Sequence, residues 1–113
     1  MTQYLISFDE GAMAALTPQE LAVASDVSHR VVDDARRAGV WVFGAGVVGG
    51  AASIVGTDGS VTTGEHPERK AVIGGFSVVD VATRDEALRW AARIAEACRC
   101  AQEVRQLMDD DDA

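Results

Sequence analysis

A chain of 113 residues with 48% hydrophobic side chains has enough apolar mass for one core and too little for two. Its 18 acidic against 10 basic residues leave a formal charge of −8, which excludes a nucleic-acid backbone as partner, because such binding rests on basic patches that release counterions. No apolar run approaches the roughly 20 residues that span a bilayer, and no basic start followed by an apolar signal segment opens the chain, so membrane binding is not expected and cytoplasmic residence is.

Residues 3–8 alternate Tyr4, Ile6 and Phe8 against Gln3, Leu5 and Ser7, the period of a strand with at least one buried face. A loop over residues 9–16 follows. Thr17-Pro18-Gln19-Glu20 then predicts a helix start, with Thr17 as N-cap, Pro18 at the first helical position and Glu20 reaching back to the cap. The helix should run to Ala38, with Arg36 and Arg37 at the negative end of its dipole and Gly39 as a left-handed cap. Its apolar stripe is Ala24, Val27, Val31, Ala35 and Ala38.

Residues 40–43 form a strongly β-forming run broken by Gly44 and Gly46, and Gly49-Gly50 marks a loop before a strand at 52–55. Thr57-Asp58-Gly59 predicts a hairpin turn into a strand at 61–63, because Asp-Gly readily takes positive φ. Residues 64–70 are polar, contain Pro67 and read as a surface loop.

The stretch 74–94 joins a glycine pair, a β-branched strand at 76–81, a cap and a helix. Thr83 with Glu86 repeats the capping-box pattern, so the helix starts near Arg84, with Ala87, Ala91, Ile94 and Cys98 on its apolar face. Cys98 and Cys100 stand two apart at the helix-to-strand junction, a spacing that suits neither a disulfide nor a four-ligand zinc site, and they read as reduced structural thiols. A closing strand over 102–107 ends the domain, residues 1–108. The acidic tail 109–113 has too few apolar groups to fold alone.

Strand, helix, two or three strands, strand, helix, strand is the order of an α+β two-layer sandwich with the doubled strand–helix–strand pattern of the ferredoxin-like fold. Residues on both sides of its strands are apolar (Leu5, Val40, Trp41, Val42, Phe43, Phe76, Val78, Val79), so the face away from the helices needs a cover, and a homodimer is expected.

In this order the chain resembles the YCII-related, or DGPF domain, family. The resemblance is carried by Tyr4-Leu5-Ile6, the helix ending in Ala38-Gly39, the hairpin before residue 63, Gly74-Gly75-Phe76, Asp80-Val81, Asp85-Glu86-Ala87, Trp90-Ala91-Ala92 and Glu103-Val104-Arg105. Thr63-Gly64-Glu65-His66 stands where the family's Asp-Gly-Pro-Phe is expected, Glu68 and Lys70 continue the motif, and Gln106 stands where a proline is usual. The resemblance implies a dimeric α/β-barrel, in which two ferredoxin-like subunits bring their sheets together and leave clefts between helix and sheet as candidate ligand sites. It also implies that some relatives are small enzymes using a His–Asp pair, one branch removing chloride from a chlorinated aromatic.

Two histidines are available for such chemistry. His29 and Asp33 lie one helical turn apart, close enough for the carboxylate to orient the imidazole as an acid–base pair requires. At about 100° per residue, however, the pair falls nearly opposite the apolar stripe, where it predicts a solvated ion pair, and Asp34 falls at the stripe's edge. His66 stands among Glu65, Glu68, Arg69 and Lys70, where Glu65, His66 and Lys70 are the candidate ligand-binding residues and His66 a further catalytic candidate; the competing reading is a solvated loop. Two isolated histidines do not supply a metal site, and the glycines at 44–50 lack the order of a phosphate loop, so no cofactor or metal is expected. The leading functional reading is a small-molecule-binding module. Its rival is a lyase- or isomerase-like enzyme acting on a polar aromatic or lactone-like compound.

Overall fold

The computed structural model describes residues 1–49, 52–64 and 73–109. Its elements in chain order are β1 (Thr2–Asp9), α1 (Pro18–Arg37), β2 (Trp41–Gly46), β3 (Ser53–Val55), β4 (Val61–Thr63), β5 (Ile73–Val81), α2 (Arg84–Cys98) and β6 (Glu103–Gln106). Four of the strands form one antiparallel sheet in the order β2-β5-β1-β6, and β3 pairs with β4 in a separate hairpin. The two longest strands, β1 and β5, are therefore central, and each strand–helix–strand unit leaves a gap that the other fills. This is the ferredoxin-like topology. No helix among the described residues is long and apolar enough to cross a membrane.

Local chemistry accounts for the helix ends. The Thr17 N–H donates to Glu20 Oε1 (3.0 Å) and the Glu20 N–H to Thr17 Oγ1 (3.1 Å), so the first capping box is complete. The second is half formed: Thr83 Oγ1 accepts from the Glu86 N–H at 3.2 Å, and the cap's stabilisation rests on that single bond. Gly39, at φ 75°, takes the left-handed position after Ala38, and Gly59, at φ 86°, does the same in the hairpin turn, where the Gly56 N–H donates to the Ser60 carbonyl.

The alternation of β1 and β5 divides the sheet's two faces. Tyr4, Ile6, Val79 and Val81 point to the helices and pack with Val31 of α1 and Ala87, Ala91, Ile94 and Ala97 of α2. Ile6, Val79 and Val81 are completely buried, each contributing on the order of 1.5–3 kcal/mol of transfer free energy. The stripe expected on α1 is buried at Ala24, Val31 and Ala35 but ends there, because Ala38 lies at the exposed cap.

Two strands run longer than their residues suggest. β2 continues through Gly44 and Gly46, opposite Ser77 and Gly75, and β5 includes the glycine pair Gly74-Gly75 rather than following it. The ladder partners keep these glycines extended, and at Gly44, Gly74 and Gly75 a neighbouring group occupies the space of the missing Cβ. A register shift between Trp41 and Phe43 turns Trp41 toward the helices and Phe43 toward the open face.

Candidate functional site

A cavity of about 440 Å³ lies between α1 and the β2–β5 end of the sheet. Its floor is Gly44, Gly46 and Ser77, with Ala45 and Phe76 bordering it through the strand backbone because their side chains alternate to the other face; the small residues leave the sheet low there. One wall is the face of α1 that carries Leu21, Ala24, Ser25, Ser28, His29, Val32 and Arg36. Phe8 and Met13 close one side, and Ile94 and Cys98 of α2, with Gln102, close the other.

The lining face of α1 is a second stripe, at about one residue's rotation from the apolar stripe that packs on the core. Leu21, Ala24, Ser28 and Val32 recur at helical spacing, and Ser25, His29 and Arg36 flank them. Because Ser25 and Ser28 are short, this stripe meets the sheet without filling the space above it. His29 thus borders a cavity while its side chain stays exposed, as its angle away from the core leads one to expect; the cavity-lining face itself is what the sequence reading missed. The signal for it is the 21–24–28–32 recurrence, hidden by the more apolar stripe beside it.

The expected His29–Asp33 pair does not form. His29 Nδ1 lies 2.6 Å from the Ser25 carbonyl oxygen, which only accepts, so Nδ1 carries a hydrogen and leaves Nε2 as the ring nitrogen that can take up or give a proton. The Ser28 hydroxyl donates to the same carbonyl at 2.9 Å. Asp33 turns instead to Arg36, at 3.5 Å between exposed side chains. Asp34 leaves the cavity altogether. Its carboxylate accepts from Arg93 of α2 at 2.5 Å and lies 3.4 Å from Arg37, and the Arg93 hydrogen bond holds its pKa below the usual carboxylate value.

Trp41 and Arg36 form the cavity's charged corner. The Arg36 guanidinium carbon sits over the indole, 5.9 Å from its centroid. The indole in turn lies across Gly44, where a Cβ would come within 2.6 Å of Trp41 Cη2. On the opposite side, burial pushes the Cys98 thiol up, with the Cys100 thiol adding to the shift, so Cys98 stays protonated at neutral pH and is a poor nucleophile. Both cysteines are free. Among the described residues no three His, Cys, Asp or Glu side chains converge as a metal site would need. Glu65, His66 and Lys70, the ligand-binding candidates, lie outside the described residues, as do residues 110–113 of the acidic tail.

No curated protein sequence matches the chain. The model of the YCII-related domain matches residues 5–109, from within β1 through β6 and just beyond it. Together with the β2-β5-β1-β6 sheet and its two helices, that match establishes that the chain belongs to the YCII-related family.

Proposed function

We propose that the chain is a small-molecule-binding module whose ligand occupies the cavity between α1 and the sheet, and that it works as a homodimer in the cytoplasm. The observation that carries the ligand reading is the cavity itself: about 440 Å³, within the size range of small-molecule sites, with apolar walls and the polar side chains of Ser25, Ser28, His29 and Ser77 on them. Support for the dimer comes from the open face of the sheet, where Phe43 is 57% exposed beside Phe76. The loop 64–70, with Glu65, His66 and Lys70, is proposed as a second contributor to ligand recognition, on the strength of its charge and its place in the family's signature position.

A thermal-shift screen of small organic molecules tests this reading. Hits on the wild type should vanish in Ser28→Leu, which fills the cavity from α1, and Lys70→Ala and His66→Ala should weaken acidic hits. Hits indifferent to Ser28→Leu place the ligand elsewhere and sink the cavity assignment.

The second reading is an enzyme of acid–base type, acting on a polar aromatic or lactone-like compound. It is favoured by the His29 geometry, in which the Ser25 carbonyl does the orienting that the absent carboxylate would have done and sets Nε2 as a proton acceptor. Turnover of any hit by the wild type, lost in His29→Ala with binding retained, would select this reading over the first.

A further inference from the structure

The cavity that the proposed function assigns to a ligand has a marked charge character. Among the described residues that line it there is one guanidinium, that of Arg36, and no carboxylate. This holds in a chain with 18 acidic and 10 basic residues, where the surrounding field disfavours an anion unless a cation is placed for it. Arg36 is placed. Gly44 leaves the space that the Trp41 indole occupies over β2, and the Arg36 guanidinium lies over that ring. At 5.9 Å from the ring centroid the guanidinium is drawn toward the indole face while its N–H edges stay free to donate. Asp33 approaches only one of these edges, and at 3.5 Å it is a loose partner. Elsewhere the cavity is lined by the apolar side chains of Phe8, Met13, Leu21 and Val32, with Ser25 and Ser77 adding hydroxyls.

The geometry points to a compact organic carboxylate as the ligand class, its planar anionic group held by the Arg36 fork against Trp41 and its apolar or aromatic body lodged between α1 and the glycine floor of β2. A carboxylate matches the fork's two parallel donors, which an ammonium or a neutral amide does not. This inference rests on the cavity being the ligand site, and it adds the charge and orientation of the occupant.

Titration calorimetry on the full chain with phenylacetate and with its neutral isostere phenylacetamide tests it. Phenylacetate should bind the wild type at least about tenfold more tightly, as expected of a hydrogen bond between two charged groups over a neutral one. Arg36→Gln should bring the two affinities within about twofold of each other by weakening phenylacetate alone, and Arg36→Lys should keep part of the preference, because it keeps charge without the fork. The Arg36 side chain is 61% exposed, so both variants should fold, which their circular dichroism checks. Equal binding of the two probes to the wild type, or a preference that survives Arg36→Gln, overturns the carboxylate assignment and leaves the cavity reading standing. Binding of neither probe overturns the carboxylate assignment too, and only a wild type that also yields no hit in the screen takes the cavity reading with it.

Discussion

The adjacent glycines Gly74 and Gly75 show how two identical residues can be needed for different reasons. A Cβ on Gly74 would stand 2.8 Å from the carbonyl oxygen of Asp9 and 3.1 Å from its carbon, both in the backbone of the paired strand, which cannot move without opening the ladder. A Cβ on Gly75 would stand 2.5 Å from Phe8 Cζ, the far end of a ring that borders the cavity and has that space to turn into. Gly74→Ala should therefore cost about 1–3 kcal/mol, the usual cost of overpacking, read as a lowered urea midpoint. Gly75→Ala should cost less than Gly74→Ala and should instead drive the Phe8 ring into the cavity, weakening ligands found in the screen more than it lowers stability. If Gly75→Ala proved the more destabilising of the two, the Phe8 ring would not be free to turn, and the cavity's wall on that side would be rigid.

At the scale of elements, two ion pairs tie α1 to the α2 end of the molecule: Asp34 to Arg93, and Glu20 to Arg99 at 2.9 Å. Both carboxyl groups titrate below their ordinary values of 3.8 and 4.5, Asp34 first through the Arg93 hydrogen bond and Glu20 first through the Thr17 backbone N–H, with Arg99 adding to it. A depressed folded-state pKa contributes stability that is present above the unfolded value and is lost as pH falls through the folded one. Urea midpoints should therefore hold steady down to the ordinary carboxylate range and decline below about pH 4.5. Asp34→Asn should make that decline shallower, and an acid limb unchanged by this substitution would show that the bridge between the helices carries no stability. These pairs join residues 59 and 79 positions apart, so no local pattern announces them. What is legible in the sequence is local: Thr17-Pro18 with Glu20 marks the start of α1, and the alternation of Tyr4, Ile6 and Phe8 marks β1. What is not legible depends on partners across the sheet. Gly44 reads as a breaker in isolation, and only Ser77 in the ladder and the Trp41 indole above explain why a strand passes through it. His29 can be counted to an angle on α1, but that angle is measured against the core, and the space left over the glycine floor is a property of three elements at once.

For the whole molecule the surface that asks for a partner is the second face of the sheet. Register and pleat put Leu5 opposite Val78, and Phe76 opposite both Ser7 and Ala45, on the side away from the helices, and Phe43 adds a ring whose centroid lies 5.8 Å from that of Phe76. Leu5, Phe76 and Val78 are half-buried by one another, while Phe43 remains 57% exposed. Contiguous apolar surface of this kind on a four-stranded sheet is hidden at lowest free energy by an equivalent sheet, and a two-fold axis lets one patch serve both subunits. Light scattering on the wild type at micromolar concentration should accordingly return twice the 11.9 kDa of one chain. Phe43→Asp separates this from a face that is simply wet. In a dimer it buries two unpaired carboxylates against apolar rings and should return the mass of a single chain, whereas on an open face it replaces an exposed side chain and should shift stability by no more than about 0.5 kcal/mol with no change of mass. A wild type of 11.9 kDa would remove the homodimer from the proposed function without touching the cavity, which lies on the other face of the sheet.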